Sequence, residues 1–125
     1  MKELVIRKCL NCGATVKVLV DCHCKNCGIT CCDKPMKELK ANDSDGAVEK
    51  HKPTYEKTKE GIIVTVNHVM DEDHYIEWLC LVTANKEEYI YLNPGDKATV
   101  KFSNVKTGKI YSYCNKHGLW VEEIK

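Results

Sequence analysis

The chain has 125 residues, with 19 Lys and Arg against 18 Asp and Glu, and it contains nine cysteines. A formal net charge of +1 gives no reason to expect a nucleic-acid or bulk membrane partner. No apolar run approaches the roughly eighteen residues that a transmembrane helix needs, and residues 1–8 lack the apolar region of a secretory signal. We therefore expect a cytoplasmic protein that binds no nucleic acid and no membrane.

The first part of the chain is rich in cysteine, since seven of the nine lie between residues 9 and 32. A segment of about forty residues buries too little apolar surface to fold without a cross-link. In a reducing compartment, clustered cysteines are more often metal ligands than disulfides, and an odd number fits a disulfide framework poorly. The sequence therefore predicts a small metal-stapled domain over residues 1–40.

The spacing of these cysteines suggests a first set of ligands. Cys9 with Cys12 and Cys24 with Cys27 form two Cys-x2-Cys-Gly pairs, which are typical of rubredoxins and zinc ribbons. Both iron and zinc accept four thiolates, so the pattern is compatible with either metal.

A polar, turn-prone run over residues 41–46 separates this segment from a β-rich remainder. Short segments rich in β-branched and aromatic residues follow it at residues 61–67, 75–82, 88–92, 98–102 and 110–113. No window carries a helical apolar stripe of useful length. Short strands with turns about every ten residues predict an all-β domain, a small antiparallel sandwich, over residues 41–125.

Four histidines and one cysteine occupy strand ends and loops of this predicted sandwich. His68 ends one predicted strand, His74 begins the next, and Cys114 and His117 lie in the turn after the last. His51 lies in a charged segment that would have to fold back over the same end. A Cys-x2-His pair alone is weak evidence, but ligands at strand ends can converge where the sheet fixes their positions. The five residues together indicate a metal site.

The sequence also predicts where three further residues pack. Cys80 shares the strand face of Ile76 and Trp78, which indicates a buried core cysteine. We expect Trp78 and Trp120 to pack near the metal site.

The motifs of this chain resemble those of the desulfoferrodoxins, which are two-centre superoxide reductases. The matching pieces follow the family's order over nearly the whole chain. They are Glu49-Lys50-His51, Asn67-His68-Val69 and residues 73–78, 92–96 and 113–120, with Cys9–Gly13 and Cys31–Met36 matching the desulforedoxin-like N-terminal segment. The chain departs from the family pattern by inserting residues 22–28 before the adjacent cysteines.

The resemblance implies a mononuclear iron, Fe2+ or Fe3+, with four imidazole ligands and an axial thiolate. These ligands would be His51, His68, His74 and His117, with Cys114 as the thiolate. The fold implied for this domain is an immunoglobulin-like seven-stranded β-sandwich or barrel. The activity implied is superoxide reductase: superoxide takes one electron and leaves as hydrogen peroxide, without release of dioxygen.

The resemblance also implies catalytic roles for two residues before His51. Glu49 would be the carboxylate that caps ferric iron after turnover, and Lys50 the cation that attracts superoxide and helps to protonate the peroxide. From its position between two ligands, we expect Lys116 to add positive charge near the site. The resemblance further implies a homodimer, with rubredoxin or a similar small protein as electron donor.

For the N-terminal centre, the resemblance favours a different ligand set from the one that spacing favours. The set that the resemblance implies consists of the thiolates of Cys9, Cys12, Cys31 and Cys32, and the metal that they bind is Fe3+ or Zn2+. Cys24 and Cys27 remain the alternative pair.

Two other functions would use only part of this pattern. A rubredoxin-like electron carrier would rest on the N-terminal centre and leave the five-ligand set unused. A zinc-stabilised β-sandwich binding module would use neither centre for redox chemistry. The five-ligand set favours the reductase over both.

Overall fold

A computed structural model describes residues 3–25, 28–43 and 51–125 of the chain. Every element whose two ends lie within these residues is a β-strand. A helix with the length and apolar character needed to cross a membrane is absent from the same residues. The chain divides into two compact units, one over Glu3–Leu39 and one over Lys40–Lys125.

The described part of the N-terminal unit contains short strands only. They are β1 (Ile6–Lys8), β2 (Thr15–Lys17), β3 (Thr30–Cys31), β4 (Lys34–Pro35) and β5 (Lys37–Glu38). β1 is the centre of an antiparallel sheet in the order β2-β1-β5, and β3 pairs with β4 in a hairpin. The two loop residues of that hairpin, Cys32 and Asp33, have φ of 53° and 60°. Two successive positive φ angles are typical of the type I′ turn that joins tight hairpins.

The N-terminal unit buries few apolar side chains. Leu4 and Ile6 are buried, whereas Leu10, Leu19 and Val20 are each exposed by 70% or more. A unit of this size with so small a core depends on a cross-link for its stability.

The C-terminal unit is a seven-stranded antiparallel sandwich in its described residues. Its strands are β6 (Thr54–Lys57), β7 (Ile62–Thr65), β8 (Ile76–Val82), β9 (Glu87–Tyr91), β10 (Thr99–Phe102), β11 (Gly108–Cys114) and β12 (Gly118–Ile124). One sheet has the order β10-β7-β6 and the other the order β12-β11-β8-β9. The all-β class and the seven-stranded sandwich expected from the sequence are confirmed.

The core of the sandwich lies between these sheets. Ile62 and Val64 of β7 pack in one cluster with residues of β8 and β11, among them Leu79 and Ile110. β8 and β11, the two inner strands of the larger sheet, are buried at six of their seven positions. Cys80 of β8 is fully buried, as expected, but it does not share the face of Ile76, because the core cluster contains Ile76, Leu79 and Leu81 and leaves Cys80 out.

A β-bulge marks the end of the β8–β11 pair. Tyr113 is paired with Trp78, but the next residue, Cys114, is paired with Ile76, so Glu77 is left over on β8. Bulges change the direction of a side chain near the rim of a sheet. Here Cys114 and Ile76 both belong to the core cluster.

Candidate metal centres

Five potential ligands meet where β8 begins and β11 ends. Their donor atoms all lie within 4.8 Å of one another. The residues are His51, His68, His74, Cys114 and His117. The sequence expectation needs one adjustment, because β7 already ends at Thr65 and β8 begins at Ile76. His68 and His74 therefore both lie in the loop between these strands.

The four imidazoles are arranged as a square. Going round it, the ring centroids are separated by 4.6 Å (His51 to His68), 4.7 Å (His68 to His74), 5.0 Å (His74 to His117) and 4.6 Å (His117 to His51). The diagonal from His51 to His74 is 6.5 Å, close to that of a square with such sides. Neighbouring rings meet edge to face, so their nitrogens can converge on one point.

The imidazole nitrogens have the spacing of neighbouring ligands on one metal ion. His117 Nδ1 lies 2.9 Å from His51 Nε2 and 3.3 Å from His74 Nε2. Two nitrogens bound at right angles to a metal at about 2.0–2.1 Å would be roughly 3 Å apart.

The thiol of Cys114 supplies the fifth donor. Its Sγ is fully buried, 3.4 Å from His68 Nε2 and 3.8 Å from His117 Nδ1. The backbone amide of His117 donates a hydrogen bond to this sulfur at 3.4 Å. Such donation stabilises the charged thiolate, which is the form that binds metals. Gly118, with φ of 80°, closes the turn after these two ligands and pairs with Cys114.

Neighbouring groups hold the histidines in orientations suited to metal binding. His68 Nδ1 contacts the carbonyl oxygen of Val69, which leaves Nε2 free for a metal. Burial lowers the pKa of His68 and so favours the neutral imidazole. The His51 ring stacks on Trp120 with centroids 5.0 Å apart and planes at 20°.

Trp120 therefore packs at the site, as expected. Trp78 instead stacks on Tyr113, the residue before Cys114, with centroids 5.5 Å apart. Sequence reasoning did not identify two residues that contact the backbone around ligands, Ser112 and Asn115. The position of Asn115 between two ligands was the available signal for it.

Of the residues expected to act on the substrate, Glu49 and Lys50 lie outside the described residues. Lys116 is half-exposed, and its Nζ lies 3.9 Å from Asp73 Oδ2. This ion pair offsets part of the positive charge expected from Lys116.

The donor set of the five-ligand group fits iron. Structural zinc almost always takes four ligands in a tetrahedron, whereas a square of imidazoles above one thiolate occupies five of six octahedral positions. Imidazole and thiolate are both established ligands of protein-bound iron.

A second group brings four thiols together in the N-terminal unit. Its members are Cys9, Cys12, Cys31 and Cys32, and their sulfurs lie within 4.8 Å of one another. The sulfur of Cys31 is 3.6 Å from that of Cys12 and 4.0 Å from that of Cys32. This is the set that the family resemblance favours.

Local backbone geometry explains how adjacent cysteines can share this group. Successive side chains of a strand point to opposite faces, but Cys32 has positive φ and has already left β3. Its sulfur can therefore lie on the same side as that of Cys31. The Cys12 amide donates to Cys9 Sγ at 3.4 Å and lowers the pKa of Cys9 to about 6.

The alternative ligand pair, Cys24 with Cys27, is not found in this group among the described residues. Cys24 lies outside it, with its sulfur 3.6 Å from that of Cys22. Cys27 is outside the described residues, so the alternative set remains a prediction.

A square of four imidazoles over a buried thiol, built on an antiparallel sandwich, defines a non-haem metalloprotein with five protein ligands. The family model described as Desulfoferrodoxin matches residues 43–123. A desulfoferrodoxin from Syntrophotalea carbinolica is 43% identical over 127 residues, covering 98% of each chain. The chain belongs to the desulfoferrodoxin family.

Two further similarities agree with this assignment. A superoxide reductase from Thermococcus kodakarensis is 33% identical to this chain. The match spans 69% of this chain and 93% of that protein. The crystal structure of the superoxide reductase from Treponema pallidum matches with a TM-score of 0.73 over 97% of this chain and 99% of its own. At 24% identity, this last match bears on the fold alone. The chain is thus an oxidoreductase of this family, and each metal cofactor expected from the sequence has its donor group in the structure.

Proposed function

We propose that this protein is a superoxide reductase, which reduces superoxide by one electron to hydrogen peroxide without releasing dioxygen. The observation that carries the proposal is the square of four imidazoles above the buried sulfur of Cys114. A relative named superoxide reductase, of which this chain covers 93%, supports the same assignment.

When bound at this site, iron would supply the single electron by passing from Fe2+ to Fe3+. Superoxide plus one electron and two protons gives hydrogen peroxide, so the chain's own groups have to admit an anion and allow protons to reach it. As a ligand, the Cys114 thiolate would raise the electron density of the iron and so favour electron transfer to superoxide.

Burial indicates which side of the square admits the anion. Cys114 is fully buried in the core cluster, so its side of the square is closed. His68, His74 and His117 are only partly buried. In the part of the chain that the structure describes, the side opposite Cys114 is therefore the more exposed one, and we propose that the anion enters there.

Two charged residues directly before His51 are proposed to assist, on the strength of the family resemblance. Glu49 is the proposed carboxylate that caps the ferric state, and Lys50 the proposed cation that attracts superoxide and helps to protonate the peroxide. Lys116 also attracts the superoxide anion, but its ion pair with Asp73 weakens this attraction.

The remaining features are proposed on the same resemblance. Residues 1–40 form a desulforedoxin-like domain that binds Fe3+ or Zn2+ through Cys9, Cys12, Cys31 and Cys32, and residues 41–125 form the catalytic domain. The protein is cytoplasmic and homodimeric, and rubredoxin or a similar small protein re-reduces the iron.

Metal analysis combined with a visible spectrum tests the site. We expect a thiolate-to-ferric charge-transfer band that disappears in Cys114→Ser, while any band from iron at the four-thiol group remains. Cys80→Ser is the matched control, because Cys80 is an equally buried cysteine of the same sheet that lies outside the ligand group. A colourless protein that still holds only zinc after anaerobic iron reconstitution would exclude the reductase and favour a zinc-stabilised module.

A further inference from the structure

We propose that Asn115 is a positioning residue, which holds the loop ligand His74 in register with Cys114 and His117. Asn115 lies in the turn between Cys114 and His117. The inference rests on the metal centre of the proposed function but does not depend on its reaction with superoxide.

Asn115 forms hydrogen bonds to the residues on both sides of His74. Its Oδ1 accepts from the backbone amide of Tyr75 at 3.0 Å, and its Nδ2 donates to the carbonyl oxygen of Asp73 at 3.0 Å. Its own backbone amide donates to the carbonyl oxygen of Tyr75 at 3.2 Å. His74 is therefore bracketed by contacts from one residue of the other ligand segment.

This bracket matters because His74 does not lie on a strand. The loop between β7 and β8 is closed locally by a pair of backbone hydrogen bonds between Asp71 and His74, at 3.0 and 3.3 Å. Those bonds shape the loop but do not fix it relative to the turn that carries Cys114 and His117. The Asn115 side chain connects the two ligand segments through two hydrogen bonds, alongside the longer ion pair between Lys116 and Asp73.

The geometry of the square explains the consequence of losing this connection. His74 Nε2 is 3.3 Å from His117 Nδ1, so these two ligands form one corner of the square. A small displacement of the His74 loop would open that corner. Groups that orient metal ligands in this way typically change metal affinity by about 10- to 100-fold when they are removed.

The chemistry of the contact requires an amide of this length. Tyr75 N–H needs an acceptor and the Asp73 carbonyl needs a donor, and an asparagine side chain offers both. Asp would keep the acceptor but lose the donor, and Ala would lose both.

The chain offers a matched control in Asn42. Its Oδ1 accepts from the Val121 amide at 3.0 Å and its Nδ2 donates to the Val121 carbonyl at 3.4 Å. This side chain therefore makes the same two kinds of contact in the same unit, to a residue that is not a ligand. Asp is the suitable replacement there, because Asn42 has φ of 63° and Ala would add strain.

The test compares the full-length, iron-loaded protein with Asn115→Asp, Asn115→Ala and Asn42→Asp. Iron release from the five-ligand site to an excess of chelator, followed through the absorption band that Cys114→Ser removes, is measured together with hydrogen exchange of the peptide containing Tyr75. We expect release to be about 10-fold or more faster in both Asn115 variants, with faster exchange at Tyr75. In Asn42→Asp, both quantities should stay within about twofold of wild type, while thermal unfolding reports any general loss of stability.

Unchanged iron release in both Asn115 variants, or an equal increase in Asn42→Asp, would overturn the proposal. Faster iron release in Asn115→Asp but not in Asn115→Ala would also overturn the proposal, because the added negative charge would then be the cause. If wild type bound no iron at the five-ligand site, the proposed function itself would fail. If iron is bound there but its release does not change in the Asn115 variants, only this inference fails.

Discussion

The hydroxyl of Ser112 donates a hydrogen bond to the backbone carbonyl oxygen of His51 at 2.7 Å, and both residues are buried. Ser112 lies on β11, two residues before Cys114, and so faces the same side of the sheet. The strand that supplies the thiol therefore also anchors the segment that supplies one of the imidazoles.

Ser112→Ala is expected to weaken this anchor. The buried His51 carbonyl would lose its hydroxyl donor, at a cost of about 1–3 kcal/mol. The free energy of unfolding, measured with denaturant, should fall by that amount, and iron should be retained less tightly. Ser103→Ala is the control, since Ser103 is exposed. Equal stability of the two variants would contradict an anchoring role.

The ligand set of the N-terminal centre is tested by a pair of exposed cysteines. Cys32 belongs to the four-thiol group, whereas Cys24 does not. We expect Cys32→Ser to lose one equivalent of metal and Cys24→Ser to keep it, as measured by metal analysis of the purified chain. Loss of metal in Cys24→Ser with retention in Cys32→Ser would favour the alternative set.

The ion pair between Lys116 and Asp73 predicts an electrostatic effect on the capture of the anion. Asp73→Asn should release Lys116 and raise the second-order rate of superoxide capture, by about twofold at low ionic strength and less as salt is added. The comparison is Glu88→Gln, which removes a similar ion pair outside the donor group, where Glu88 Oε1 on β9 lies 3.5 Å from Lys86 Nζ. A rate that rises equally in both variants would indicate a general effect of net charge.

Lys50 is predicted to attract superoxide more strongly than its neighbours do. Lys50→Ala should slow superoxide capture in stopped-flow measurements and weaken its dependence on ionic strength. Lys52→Ala is the matched control, because Lys52 lies on the other side of His51 and pairs with Glu122 at 3.6 Å. An unchanged salt dependence in Lys50→Ala would remove the steering role.

Much of the fold could be predicted because the relevant patterns are local, whereas Cys31 and Cys32 were indicated as ligands by the family resemblance and not by cysteine spacing. The apolar segments that became β7 to β11 alternate or are continuously apolar, as buried strands require. β6 was missed because Thr54–Lys57 is a mostly exposed edge strand with one half-buried side chain, Tyr55. No strand is predicted after the turn that carries Cys114 and His117, although the chain continues from Gly118 as β12.

The supporting contacts could not be predicted because they join distant parts of the chain. Ser112 and His51 are 61 residues apart, and Asn115 and Tyr75 are 40 apart. The bulge that pairs Cys114 with Ile76 depends on the register of two paired strands rather than on either sequence alone. Such contacts follow only from the folded sheets.

The stoichiometry of the reaction tests the central claim most directly. The reduced, iron-loaded protein is mixed with superoxide in a stopped-flow instrument, and hydrogen peroxide and dioxygen are both measured. We predict one hydrogen peroxide for each superoxide consumed and no dioxygen. Half that yield of peroxide, accompanied by dioxygen, would mark a dismutase and contradict the assignment as a reductase.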